Sequence, residues 1–145
     1  MSLGADERVF QVLLVEDSPS DAELTRKAFS RLRLPSVLHH VHDGVECMAY
    51  LERPSATQPR PDLILLDLNM PRMDGRAVLR EIKKSPDLVS IPVVVLTTSA
   101  DGTDVVEAYR SHSNAYIVKP VDLNQFFDVI ADLERFWFRV ATLAD

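Results

Sequence analysis

The most hydrophobic parts of this chain do not alternate with polar positions. Residues 12–15 (Val-Leu-Leu-Val), 63–66 (Leu-Ile-Leu-Leu) and 93–96 (Val-Val-Val-Leu) are unbroken apolar runs. Four apolar residues in a row leave no face for water, so each run is expected as a strand covered on both sides, as in a parallel sheet. Weaker strands are expected at 37–41 and 116–118. The segments between them carry helical spacing. A helix over 20–32 is announced by Ser18 as N-cap, Pro19 at the first helical position and Asp21 in the first turn. Asp43-Gly-Val-Glu46 reads as a variant capping box opening a helix through Leu51. Residues 74–84 put Val78, Leu79 and Ile82 on one face, 103–111 carry Val105, Val106, Ala108 and Tyr109, and 122–143 form the longest helix. Pro54, Pro59 and Pro61 make 52–61 the one sizeable loop. Strand and helix thus alternate five times. Parallel strands joined by right-handed crossovers follow, in a doubly wound α/β fold with a five-stranded sheet in the order 2-1-3-4-5 and helices on both faces.

Composition narrows the function. The 145 residues are 46% hydrophobic and 26% charged, as expected of a single globular domain. A net charge of −6 disfavours nucleic-acid binding, which needs a basic face to meet phosphates. The single cysteine, Cys47, excludes an internal disulfide and a thiolate zinc cluster, and is expected to be a small packed residue in a reducing compartment. No secretory signal is visible at the N-terminus, and no apolar run approaches the ~20 residues that cross a bilayer. A cytoplasmic protein is the expectation.

The chemistry lies at the strand ends, because open α/β sheets bind ligands at the carboxyl edge where strand order reverses. Glu16-Asp17 follow the first strand, Asp67 the third, Thr97-Thr98 the fourth and Lys119-Pro120 the fifth. Three carboxylates ~5 Å apart repel by about 3 kcal/mol per pair at an effective dielectric near 20. Such a cluster raises its pKa values or holds a cation. All-oxygen ligation points to Mg²⁺ or another hard divalent ion. With that charge present, Asp67 is a candidate nucleophile toward a phosphoryl group, forming an acyl phosphate. The Lys119 ammonium and the Thr97 hydroxyl would then stabilise the transferred oxygens. Spacing alone does not separate Thr97 from Thr98.

Taken together, Leu13-Leu-Val-Glu-Asp17, the run from Asp62 through Asp67 to Met73-Asp-Gly75, Val95-Leu-Thr-Thr98 and Tyr116-Ile-Val-Lys-Pro120 resemble the receiver domain of two-component response regulators. The likeness spans Phe10 to Leu133. Within receivers, the Leu-Thr-Thr-Ser segment, the proline-rich loop and the aromatic tail look most like single-domain regulators that accompany bacterial phytochromes. The resemblance implies a flavodoxin-like receiver fold over 9–133, with 1–8 expected as a disordered N-terminal segment and 134–145 as an extension of the last helix. It implies a phosphoacceptor signalling module rather than an enzyme. Asp67 takes phosphoryl from a phosphohistidine on a sensor histidine kinase, here a bacteriophytochrome, or on a histidine phosphotransfer protein. Glu16, Asp17, Asp67 and the backbone carbonyl of Asn69 hold Mg²⁺, and Lys119 binds the phosphoryl group. Family register selects Thr97, which with Tyr116 switches the face made by the fourth helix, fifth strand and fifth helix. Asn69 and Ser99 tune the lifetime of the phosphorylated state. The Lys119-Pro120 bond is expected to be cis. With the chain taken up by the receiver, output is expected through protein contact, a relay step or drainage of phosphoryl groups.

Two positions depart from the family pattern. Glu16 stands where Asp is commoner, lengthening one metal-facing arm, and His112 stands where Gly usually follows the fourth helix. Other readings weaken against particular residues. A phosphatase with an aspartate nucleophile wants a general acid two residues on, where this chain has Asn69. A flavin binder wants a phosphate cradle after strand one, where Glu16-Asp17-Ser18-Pro19 offers anions and a missing amide. A receiver that is never phosphorylated does not fit, since every chemical position is filled. His39, His40 and His42 suggest a metal site, but His40 and His42 share one strand face with no acid expected beside them, so a wet edge strand is the expectation. Phe136, Trp137 and Phe138 fall 100° apart on a helix, too widely for one docked face, and are expected to form a homodimer contact.

Overall fold

A computed structural model of the chain describes residues 9–32, 35–67, 73–97, 115–118 and 123–144. Five parallel strands, β1 Phe10–Val15, β2 Ser36–Val41, β3 Leu63–Asp67, β4 Val93–Thr97 and β5 Ala115–Val118, form one sheet in the order β2-β1-β3-β4-β5. The helices are α1 Pro19–Ser30, α2 Gly44–Glu52, α3 Gly75–Lys84 and a C-terminal helix Leu123–Ala144. The doubly wound flavodoxin-like expectation is met. The helix expected over 103–111 lies outside the described residues, as do Asn69, Ser99, His112, Lys119 and Pro120.

The unbroken apolar runs are explained by two cores. Leu13, Val15, Ile64, Leu66, Val93 and Val95 point to one face, where they pack with Cys47, Tyr50 and Leu51 of α2 and Val78, Leu79 and Ile82 of α3. The intervening residues Val12, Leu14, Leu63, Leu65, Val94 and Leu96 point to the other, against Ala22, Ala28 and Phe29 of α1 and Phe126, Ile130 and Leu133 of the C-terminal helix. Period-two side-chain direction supplies both faces, and with both covered no polar alternation survives.

Three helices start by the same local device. Ser18 Oγ accepts from Asp21 N (3.3 Å), Asp43 Oδ1 from Glu46 N (2.9 Å) and Asp74 Oδ1 from Ala77 N (3.0 Å). Each satisfies one otherwise unpaired amide of the first turn. The capping box at Asp43 is only half as expected. Glu46 turns its carboxylate to His42, accepting from the His42 amide at 3.3 Å and meeting Nδ1 at 3.2 Å. Likewise α1 stops at Ser30, two residues short of expectation, because the amides of Arg31 and Leu32 bond three residues back and tighten the chain out of the helix. The proline-rich loop has no regular structure but is well tied. Tyr50 OH donates to the Pro59 carbonyl at 3.0 Å, and the Arg60 guanidinium reaches the Asp87 carbonyl and Ser90 Oγ. Among the described residues, no helix is long and apolar enough to cross a membrane.

Candidate functional site

Parallel strands deliver all their carboxyl ends to one edge of the sheet. β1 ends at Val15 and passes directly into Glu16-Asp17, while β3 ends on Asp67 itself. Ligand oxygens of these three carboxylates lie within 4.8 Å of one another. Glu16 is 1% exposed and Asp67 7%, whereas Asp17 faces solvent. At that spacing and an effective dielectric near 20, each pair of ionised carboxylates repels by about 3 kcal/mol or more. A close group of hard oxygen donors, with neither thiolate nor imidazole among its members, suits a small divalent cation of the Mg²⁺ type.

The rest of the expected site follows the register of the sheet. Thr97 ends β4 and pairs in register with Val118, the last residue of β5, so both strands end at the same edge; Lys119 lies outside the described residues. Tyr116 lies within β5 opposite Val95. The C-terminal helix runs continuously through Phe136, Trp137 and Phe138.

Several local contacts hold the acid-bearing turns. The Glu16 amide donates to the Val41 carbonyl at 3.0 Å, and the Glu16 side chain accepts from Ser18 N at 3.4 Å, at the start of α1. Just before α3, the Met73 carbonyl accepts from Gly44 N at 3.0 Å. A Cβ at Gly44 would collide with that carbonyl oxygen and crowd the Val78 side chain, so this close approach requires glycine.

The histidines need one correction. Contrary to the expectation of no neighbouring acid, Glu46 lies against His42, because the α2 cap turns its first-turn carboxylate back toward the end of β2. His40 and His42 do share a side, with ring centroids 4.5 Å apart, and β2 is the sheet edge. His39 turns to the opposite face and pairs with Gln11 Oε1 at 2.7 Å; burial lowers its pKa. His40 Nε2 meets the Glu16 carbonyl at 2.7 Å. That contact with the acidic turn was not legible in the sequence, since it needs the Leu14–His40 pairing of β1 with β2. Among the described residues, the one cluster of three or more potential metal ligands is Glu16, Asp17 and Asp67.

Known proteins agree with this geometry. Residues 12–131 match the response regulator receiver domain family. Response regulator Rcp1 of Synechocystis sp. is 44% identical over 134 residues, covering 91% of each chain. The probable methanogenesis regulatory protein FilR2 of Methanothrix harundinacea is 37% identical over 145 residues, covering 94% of each. Among solved structures, the phosphorylated cyanobacterial phytochrome response regulator RcpA superposes with a TM-score of 0.84 at 44% identity, over 90% of this chain and 95% of that one. The Mn²⁺-bound form of Rcp1 gives 0.81 at 44% identity, over 88% and 94%. With its sheet order, its acidic edge and these relatives in view, this chain belongs to the response regulator receiver domain family, phosphoacceptor modules of two-component signalling rather than catalytic enzymes in the usual sense.

Proposed function

We propose that Asp67 is the phosphoacceptor of this receiver and that Glu16 and Asp17 complete its cation site. The observation that carries the reading is the convergence of three carboxylates within 4.8 Å at the carboxyl edge, two of them buried. A carboxylate oxygen of Asp67 attacks the phosphorus of a phosphohistidine. The P–N bond breaks, the imidazole leaves with its electron pair, and an acyl phosphate remains on Asp67. Lys119 pairs its ammonium with the transferred oxygens and Thr97 donates its hydroxyl to them. Glu16, Asp17, Asp67 and the backbone carbonyl of Asn69 hold Mg²⁺. Bound there, Mg²⁺ supplies the positive charge that lets an anionic phosphoryl group approach anionic side chains.

Thr97 and Tyr116 then carry the change to the surface around β5, while Asn69 and Ser99 govern how readily water removes the phosphoryl group. The phosphodonor is a sensor kinase of the phytochrome type, supported by likeness to the phytochrome response regulator RcpA. The cation assignment is supported by the Mn²⁺-bound form of Rcp1. The receiver spans 9–133, and 134–145 extend the last helix with Phe136, Trp137 and Phe138 as a homodimer contact. The protein works in the cytoplasm through protein contacts and not on nucleic acid, consistent with its net charge of −6.

Incubation with acetyl phosphate and Mg²⁺, followed by intact mass and peptide mapping, tests the assignment. One added phosphoryl group on the peptide bearing Asp67 is expected. Labelling elsewhere, or none, sinks it. For the dimer, sedimentation at tens of micromolar with and without a phosphoryl analogue decides, and a monomer in both conditions refutes the contact.

A further inference from the structure

We infer that His40 is a positioning residue for the cation site, a clasp from the edge strand that sets the Glu16–Asp17 turn. This rests on the phosphoacceptor reading above and adds a residue to it. Both backbone groups of Glu16 are held from β2. Its amide donates to the Val41 carbonyl at 3.0 Å, and its carbonyl meets His40 Nε2 at 2.7 Å. The first bond prolongs the parallel ladder of β1 with β2. The second comes from a side chain and stands outside that ladder, since β2 stops at Val41. Past the end of the partner strand, a ring nitrogen supplies the donor. Nε2 carries hydrogen in this contact, since a carbonyl can only accept.

The consequence is geometric. The Glu16 carbonyl belongs to the peptide unit that leads into Asp17, so fixing it fixes that peptide plane and the starting direction of the Asp17 side chain. Asp17 is the exposed member of the cluster, and ionised carboxylates within 4.8 Å of one another repel. A turn held by its backbone keeps the three carboxylates together against that repulsion, so less ordering remains when the ion arrives. His40 touches no carboxylate oxygen in this arrangement and acts through Glu16. Its ring lies beside that of His42, which Glu46 holds in turn at 3.2 Å, so the clasp is braced from the start of α2.

Mg²⁺ titration by calorimetry on the full chain tests the clasp, with labelling by acetyl phosphate measured beside it. In His40→Leu the Mg²⁺ Kd is expected to rise about five- to tenfold, the scale for losing a bond that orients a metal ligand. At saturating Mg²⁺ the labelling rate is expected to return to within about twofold of wild type, because the turn is set by the ion once it binds. His40→Gln, whose amide nitrogen reaches the place of Nε2, is expected to recover most of the affinity. His39→Leu, on the other face of the same strand, is expected to leave it unchanged. If His40→Leu does not fold, His40→Asn, polar but too short to reach the carbonyl, carries the same expectation. Equal Kd values for wild type and the Leu or Asn variant overturn the clasp, as does an equal loss in His39→Leu. A wild-type chain that takes neither Mg²⁺ nor phosphoryl overturns the underlying phosphoacceptor reading instead.

Discussion

At the carboxyl end of the sheet, Glu16, Asp17 and Asp67 crowd their oxygens within 4.8 Å, and two of the three are buried. At the amino end, Phe10, Phe29, Leu63 and Leu133 belong to one buried apolar cluster and line a small hollow in it, and the polar ties there join donors to acceptors. Tyr50 OH meets the Pro59 carbonyl, Arg60 meets the Asp87 carbonyl, and Asp62 exchanges bonds with the Gln11 backbone at 2.7 and 2.9 Å. One end concentrates carboxylates at close range, which repel one another when ionised; the other gathers apolar surface and donor–acceptor pairs that favour folding. On the proposed reading, a site that receives a cation and a phosphoryl group is kept together by the rest of the fold, and stability comes from elsewhere in the chain.

This contrast predicts that substitutions at the two ends fail differently. The largest effect is at Asp67. Asp67→Asn should abolish labelling by acetyl phosphate while leaving a folded protein by circular dichroism. Phe29→Ala comes next, with a loss of about 3 kcal/mol in urea unfolding for removing a buried aromatic ring. The fraction that remains folded should still label at a rate within about twofold of wild type. A slow, unlabelled but stable Phe29→Ala would break the division between the ends. Mg²⁺ should raise the melting temperature of the wild type by mass action, worth about 1.4 kcal/mol at tenfold Kd. In Asp67→Asn that rise should fall by at least half, and calorimetric scans with and without the ion check it. Tyr50→Phe should cost about 1 kcal/mol, the net worth of one hydrogen bond, with no change in Mg²⁺ affinity.

The smallest effect concerns Cys47, fully buried on the inner face of α2, whose thiol is pushed up to about 12 by burial, with the nearby Asp43 charge adding to it. An acid whose folded pKa lies above its unfolded one keeps its full contribution below the unfolded value, here near 9, and loses it as pH rises toward 12. Stability should therefore decline above about pH 9, and the decline should be shallower in Cys47→Ala. At pH 8 the native thiol should ignore Ellman's reagent until urea is added.

Much of the fold was legible because its determinants are local. Unbroken apolar runs announced strands covered on both sides, and Ser18 and Asp43 announced helix starts that each caps from three residues away. The acids of the site were also legible, since a parallel sheet sends every strand end to one edge and Glu16, Asp17 and Asp67 stand at those ends. Where expectation fell short, a side chain had found a partner other than the one its local motif suggests, in one case four residues away and in the other across two strands. Glu46 turned to His42 rather than back to its own cap, and His40, expected simply to face water, reached the Glu16 carbonyl.

The chain of letters by itself determined the element order, the sheet topology, the family and the residues able to hold a cation, since each depends on neighbours within a turn or on the order of strand ends. Tertiary structure alone decided which carboxylates are buried, how close they come, that Gly44 must lack a side chain beneath Met73, and that β2 reaches across to hold the acidic turn. Those are distances between segments 20 or more residues apart, and they come into being only when side chains from separate elements compete for the same space.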